Sequence, residues 1–207
     1  MVNQMLRTRR DASGRGLFLK KFWRDGMRVA SVVPSSRPLA AELCARVDGS
    51  RPQMIIDVGA GTGAVTEVAL ERMHPESRIV AIELDPQFAE ILQVRCPRAV
   101  VVCCDVRDLG EQLDRLGVRH VDLMICGLAL PCVPRASTSA MFDCLKHLGR
   151  DAWYTQLTLV PYVYKSMYHR LFEQVDFRLV LANFPPGGAY HCRTLRPDFA
   201  DHVPGTV

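Results

Sequence analysis

Three acidic residues and three glycines are spaced to bind a nucleoside that carries positive charge. Asp57 precedes Gly59, Gly61 and Gly63. Glu83 follows Gly63 by 20 positions, and Asp105 follows Glu83 by 22. Each acidic residue closes a short apolar run: Met54-Ile55-Ile56, Val80-Ala81-Ile82 and Val102-Cys103-Cys104. In a chain of alternating strands and helices such run-ends share one edge of a parallel sheet, so the three carboxylates should line one crevice. The glycines permit a tight turn and a close approach of ligand to backbone. A dinucleotide fingerprint would be G-x-G-x-x-G, but three residues after Gly61 stands Ala64. Asp57 would also repel a pyrophosphate, whereas it suits a cationic ligand. Glu83 is placed to accept both hydroxyls of a ribose. Asp85, directly before Pro86, reads as a helix cap.

The elements that must position these groups follow from the pattern. Residues 54–58 read as a buried parallel strand and residues 64–73 as the helix after the glycine turn. Strands are expected over 78–82, 99–104, 121–126 and 152–159. Helices are expected over 86–95, 108–116, 135–148 and 165–175. A further helix over 37–47 precedes the first strand, with Ser35 or Ser36 as its cap. Residues 177–183 and 189–195 flank Phe184-Pro185-Pro186-Gly187-Gly188 and should form an antiparallel pair at the end of the sheet. The last residues, from 196 on, read as a loose tail. The fold class is therefore α/β, a Rossmann-like sheet of seven strands that ends in a hairpin, with an N-terminal amphipathic helix in front.

The 207 residues make one good-sized domain, 48% hydrophobic and 23% charged. Uncharged stretches reach only about a dozen residues, short of the ~20 that cross a bilayer. No secretory signal is visible. The eight cysteines form no C-x-x-C pair and the six histidines are dispersed, so reduced thiols in a cytoplasmic protein and no metal site are expected. The net charge of +4 is unevenly spread. Residues 1–37 hold nine Lys or Arg against Asp11 and Asp25, a net +7 that leaves −3 for the rest. Such a segment seeks an anionic surface.

Within it, residues 1–15 read as a flexible arm and residues 16–30 as an amphipathic helix. Phe18, Leu19, Phe22, Trp23 and Met27 fall near one face at 3.6 residues per turn, with Lys20, Lys21, Arg24 and Arg28 on the flanks and the opposite face. Aromatics against cations is the pattern of a helix lying in a membrane interface. The same residues would equally describe a helix packed on the domain with solvated charges. Residues 1–36 are thus set apart as a docking or lid segment, and residues 37–207 as the domain proper.

The Asp57-to-Gly63 motif resembles motif I of the class I S-adenosylmethionine (SAM) methyltransferases. The resemblance implies SAM as cofactor, with Asp57, Gly59, Ala60, Gly61 and Gly63 beneath its amino-acid half. It implies Glu83 and Leu84 at the ribose, Asp105 and Val106 at the adenine, and Gly127 beside them. A narrower resemblance runs over residues 17–195. The basic aromatic segment, Ser31-Val32-Val33-Pro34-Ser35-Ser36, the glycine motif, Gly127-Leu128-Ala129-Leu130-Pro131 and Asn183-Phe184-Pro185-Pro186 are similar, in that order, to bacterial phospholipid N-methyltransferases. Two places depart from that family: Ala129 after Leu128, and Val160-Pro161-Tyr162-Val163-Tyr164 after the fifth strand.

The activity so implied converts phosphatidylethanolamine stepwise towards phosphatidylcholine. The protein would be peripheral at the inner membrane, on anionic lipid, with Phe18, Lys20, Lys21, Phe22, Trp23, Arg24, Arg28, Ser35 and Ser36 as its substrate- and membrane-facing residues. Tyr162, Tyr164 and Tyr168 follow the fifth strand at the crevice edge. They are candidates to relay an amine proton or hold a methylated cation against their rings. Three alternatives stay open: an RNA methyltransferase using the basic segment as a phosphate-binding arm, a small-molecule amine methyltransferase, and a SAM-binding protein without turnover. The fourth strand is followed by no Asn or Asp of the kind that adenine amino-methylating enzymes carry there, which argues against adenine as the substrate but not against other RNA positions.

Overall fold

The computed structural model describes residues 35–128, 135–160 and 162–202, and the basic N-terminal segment lies outside them. Its centre is one seven-stranded sheet built from β1 (Met54–Val58), β2 (Arg78–Glu83), β3 (Val100–Cys103), β4 (Val121–Cys126), β5 (Leu148–Thr158), β6 (Phe172–Val180) and β7 (Gly187–Leu195), in the order β3-β2-β1-β4-β5-β7-β6. The first five strands pair in parallel, and β7 runs antiparallel between β5 and β6. This is the sheet the sequence led us to expect.

The central strands are continuously apolar because both of their faces are covered. Ile56, Val58, Val80 and Ile82 face a layer that includes Leu109 and Leu113 of α4 (Leu109–Arg115), Phe142 of α5 (Arg135–Asp143) and Tyr168 and Leu171 of α6 (Lys165–Leu171). The alternate residues, Ile55, Ile79, Ala81, Leu123 and Ile125, face Leu39 and Leu43 of α1 (Arg37–Leu43), Val65 and Val68 of α2 (Ala64–Arg72) and Leu92 of α3 (Pro86–Arg95). The period of two along each strand thus separates two cores.

Helix starts follow the capping chemistry. The Asp85 carboxylate accepts from Gln87 N at 2.9 Å and Phe88 N at 3.3 Å, with Pro86 opening α3. Ser36 Oγ accepts from Leu39 N at 3.4 Å at the start of α1. Other boundaries correct the expectations. The helix expected over 37–47 ends at Leu43. The one expected over 135–148 stops at Asp143, passes through a 3-10 turn (Cys144–His147), and gives way to a β5 that begins at Leu148.

The largest correction is at residues 172–175, which are strand and not the end of a helix. Arg196 Nε donates to the carbonyls of His169 and Phe172 at 3.1 and 3.3 Å, and its backbone N–H donates to Leu171 O at 2.9 Å. These bonds satisfy the last carbonyls of α6 and end it there. Phe172 then pairs with Leu195 as the first rung of a nine-residue ladder. Residues 196–202, expected to be loose, include these bonds and a short 3-10 turn (Phe199–His202).

Candidate active site

The carboxyl ends of the parallel strands carry every described residue that the spacing singled out. Along that edge the order is Asp105 after β3, Glu83 at the end of β2, Asp57 and the glycine turn at β1, Gly127 after β4, and the segment leaving β5. Short backbone bonds lash the ends together. Gly59 N and Ala60 N donate to Ile82 O at 2.9 and 3.0 Å, Cys104 N to Glu83 O at 3.1 Å, and Gly127 N to Val58 O at 2.8 Å.

The glycine turn has the conformation that its residue type allows. Gly59, Gly61 and Gly63 have φ of 74°, 58° and 90°, values that a Cβ makes costly. A Cβ on Gly59 would also lie 2.5 Å from Leu128 Cδ2, and one on Gly127 would lie 3.0 Å from Gly59 O. The turn after β1 and the segment after β4 therefore touch through two glycines.

Asp57 is 1% exposed. Its Oδ2 accepts from Thr66 Oγ1 at 2.6 Å, while its Oδ1 is buried with no partner among the described residues. Burial, only partly offset by the Thr66 hydrogen bond and reinforced by the nearby Glu83 charge, raises its carboxyl from 3.8 to about 6. A buried, half-satisfied carboxylate calls for a donor or a cation. Glu83 is also buried, and burial raises its pKa although it accepts from Gly61 N at 2.8 Å and Asp85 N at 2.9 Å. Each of its oxygens takes one of those bonds and the backbone of Leu84 supplies a third, which leaves acceptor capacity on the carboxylate. The carboxylate thus shapes the glycine turn and can still accept hydroxyls. Leu84 beside it is an exposed apolar side chain.

Asp105 is engaged more fully. Its Oδ1 accepts from Arg107 N and its Oδ2 from the Arg107 guanidinium, both at 2.9 Å, and the hydrogen bond to that side chain holds its carboxyl below the ordinary range. It caps the short 3-10 turn Val106–Asp108, and Val106 is half-buried against the core.

The three tyrosines part company. Tyr168 is buried at 1% and packs on Tyr154 and Tyr190, with ring centroids 6.3 and 4.8 Å away. Burial pushes its phenol well above 10, so the structure places it in the core. Tyr164 is half-buried against the same core. Tyr162 is exposed at the carboxyl edge, with φ of 75° and its N–H bonded to Tyr190 Oη at 3.0 Å. Ser36 serves as the cap of α1. Phe18, Lys20, Lys21, Phe22, Trp23, Arg24 and Arg28 lie outside the described residues, as do residues 129–134 after Leu128.

One residue of the site escaped the sequence reading. Gln156, fully buried near the end of β5, donates from Nε2 to Leu128 O at 2.7 Å, Leu157 O at 2.8 Å and Cys126 O at 3.3 Å, and its Oε1 accepts from Tyr154 Oη. It pins the segment after β4 against β5. The one signal available was a lone glutamine inside an otherwise apolar and hydroxyl-bearing run.

Residues 41–183 match the model of the FtsJ-like methyltransferases. The chain belongs to the FtsJ-like methyltransferase family. It is 35% identical over 187 residues to an ornithine lipid N-methyltransferase of Singulisphaera acidiphila, a match covering 88% of this chain and 97% of that protein. Among solved structures it is similar in fold to the O-methyltransferase TomG from Streptomyces achromogenes in complex with SAM. The TM-score there is 0.61 at 16% identity, over 78% of this chain and 82% of that one. It is likewise similar to an O-methyltransferase from Bacillus cereus in complex with S-adenosylhomocysteine, with a TM-score of 0.60 at 14% identity over 82% and 87% of the two chains.

The chain is therefore a class I methyltransferase, and SAM is its cofactor. The residues present fit that group. Asp57 offers a buried oxygen with no partner among the described residues, Glu83 offers remaining acceptor capacity beside the exposed Leu84, and the glycine turn leaves backbone uncovered. Asp105 can receive an amine through the outer lone pairs of a carboxylate that Arg107 already orients. Among the described residues no cluster of His, Cys, Asp or Glu is arranged to hold a metal ion.

Proposed function

We propose that this methyltransferase acts on the amine of a membrane lipid, converting phosphatidylethanolamine stepwise towards phosphatidylcholine at the surface of the inner membrane. The observation that carries the reading is the relationship, along nearly its whole length, to a protein named as a lipid N-methyltransferase. The same observation favours a second reading, in which the accepting amine belongs to an ornithine lipid. Both headgroups present a primary amine on an amphiphile, so the chemistry asked of the site is shared.

When bound, SAM supplies an electrophilic methyl group on a sulfonium centre. The chain's own residues do the rest by placement. Asp57, desolvated and facing Glu83, favours a cationic partner over a neutral one. Glu83 holds Gly61 N and Asp85 N, which fixes the turn on which the cofactor rests. Gln156 fixes the backbone at Leu128, on the side where the accepting amine must arrive. That amine must be free of its proton to attack, and a site that excludes water favours the uncharged form. Tyr162, exposed at the same edge, can hold the cationic headgroup over its ring. Tyr164 is half-buried nearby, and Tyr168 packs in the core on Tyr190, whose hydroxyl accepts from the Tyr162 N–H.

The test is transfer of labelled methyl from SAM to vesicles that contain either phosphatidylethanolamine or an ornithine lipid, followed by separation of the lipid products. Label in mono-, di- and trimethylated phosphatidylethanolamine is expected. Label confined to ornithine lipid moves the assignment to the second reading. No label in either lipid refutes both.

A further inference from the structure

We propose that the turn between β6 and β7, together with the segment leaving β5, inserts into an anionic lipid bilayer and so sets the crevice mouth against the membrane. This rests on the aminolipid reading and adds to it a docking surface built into the folded domain. The surface consists of Leu181 and Phe184 in the turn, flanked by Val160 and Val163. Phe184 is 93% exposed and Leu181 72%. Side chains of that size are seldom left so bare in neighbouring positions unless something apolar covers them.

Three observations select a bilayer as the occupant. The first is position. β6 is parallel to the other strands, so its carboxyl end and the turn after it lie on the same edge of the sheet as Asp57, Glu83 and Gly127. The segment leaving β5 lies beside the turn: Thr158 pairs with Gly188, and a Cβ on Gly187 would lie 3.2 Å from Leu159 Cδ2. The second is shape. Phe184 stands on the tip of a turn instead of lining a groove. The turn is braced from beneath by buried Asn183, whose Nδ2 donates to Pro185 O at 2.7 Å.

The third observation is where the basic segment joins the fold. Asn183 Oδ1 accepts from Ser36 N at 2.9 Å, so the chain enters the described domain at this same turn. The 34 residues before Ser35 carry eight Lys or Arg against two Asp. Lys165, exposed at the start of α6, adds a cation just after Val163. Each cation near an anionic leaflet adds to the attraction. An apolar tip beside positive charge is the combination that an anionic interface binds.

The experiment uses the full chain and vesicles of phosphatidylglycerol and phosphatidylcholine, which contain no aminolipid, so that binding is read without turnover. The double variant Leu181→Ser/Phe184→Ser is expected to lose vesicle partitioning by about tenfold or more, while its SAM affinity stays that of the wild type. Unchanged partitioning overturns the proposal. Independently, Phe184→Trp is expected to show a blue-shifted emission on vesicles and quenching by lipids brominated in the acyl chains, relative to the wild-type background of Trp23 and Trp153. If vesicles leave the emission of the introduced indole unaltered, the proposal is overturned even when the double variant misfolds. The patch would then be covered by the N-terminal segment or a protein. Loss of vesicle binding by the double variant, with methyl transfer retained to a short-chain, monomeric aminolipid, supports docking and substrate together. Intact docking with no lipid methylated fails the substrate reading alone.

Discussion

Replacing Asp57 with Asn should stabilise the free protein and weaken its grip on SAM. Burial raises the Asp57 carboxyl from 3.8 to about 6, so the folded chain binds this proton more tightly than the unfolded chain does. At about 1.4 kcal/mol per pH unit, the difference is on the order of 3 kcal/mol. The sign follows from the direction. Below about pH 4 the group is protonated in both states and ionisation costs the fold nothing. Between about pH 4 and 6 the unfolded chain ionises first, and stability falls. Above about 6 the folded chain ionises too, and the whole cost of roughly 3 kcal/mol is in place. An Asn at 57 can accept from Thr66 Oγ1 as Asp57 Oδ2 does and carries no charge, so the variant should unfold later than the wild type at pH 8. The gap should close near pH 4. SAM should show the opposite preference: wild-type affinity rises as pH passes about 6, and the variant binds more weakly without that rise. Thermal melts and calorimetric titrations at pH 5, 6, 7 and 8 measure both. A variant less stable than wild type at pH 8, or a SAM affinity indifferent to the substitution, would refute the account of Asp57 as a desolvated partner for a cation.

Gly59→Ala places a Cβ at a φ of 74° and 2.5 Å from Leu128 Cδ2. A loss of roughly 2–4 kcal/mol in denaturant unfolding is expected from the left-handed backbone and the crowding together, with SAM binding lost in step. Glu83→Gln can satisfy only one of the two amides at Gly61 and Asp85, since its NH2 group would face the other. It should cost about 1–3 kcal/mol in a melt and weaken SAM at least tenfold in titration. Gln156→Leu leaves Leu128 O and Leu157 O without this donor. Methyl transfer should fall more than SAM affinity, because in the proposed function the segment it holds lies where the accepting amine arrives. Tyr162→Phe should preserve transfer and Tyr162→Gly should lose it, although glycine relieves a positive φ and should raise the melting temperature. Equal activity of the two would remove the ring from the reaction.

The residues that could be read in advance were those whose type is forced by local backbone or by charge. Gly59, Gly61 and Gly63 announce a turn because positive φ leaves few other choices, and Asp57, Glu83 and Asp105 announce strand ends because a carboxylate does not continue an apolar run. Asp85 before Pro86 marked a helix start for the same local reason. What stayed hidden depended on distant partners. Leu171, Phe172 and Val175 fit a helical stripe as well as a strand, and Arg196, 24 residues downstream of Phe172, decides between them. Tyr168 looked equivalent to Tyr162 because sequence places both after the fifth strand. One points into the stack of Tyr154 and Tyr190, the other to the edge. Gln156 is informative only once the carbonyls of Cys126, Leu128 and Leu157 are seen to converge on it. The exposure of Leu181 and Phe184 could not be read from a turn motif, since a turn fixes the path of the backbone and not what lies above it.

The place of β7 has a consequence for how the molecule is made. The last strand in sequence lies inside the sheet, between β5 and β6, so β6 has no partner until residues 187–195 exist. A nascent chain can assemble the cofactor half, β1 to β4, while its remainder is still being synthesised. The other half of the sheet must wait for residues 187–195. Until then the long β5 is a bare edge, open to pairing with another chain. Synthesis that terminates after Val180 therefore releases a product with β1 to β4 complete and an adhesive border along β5.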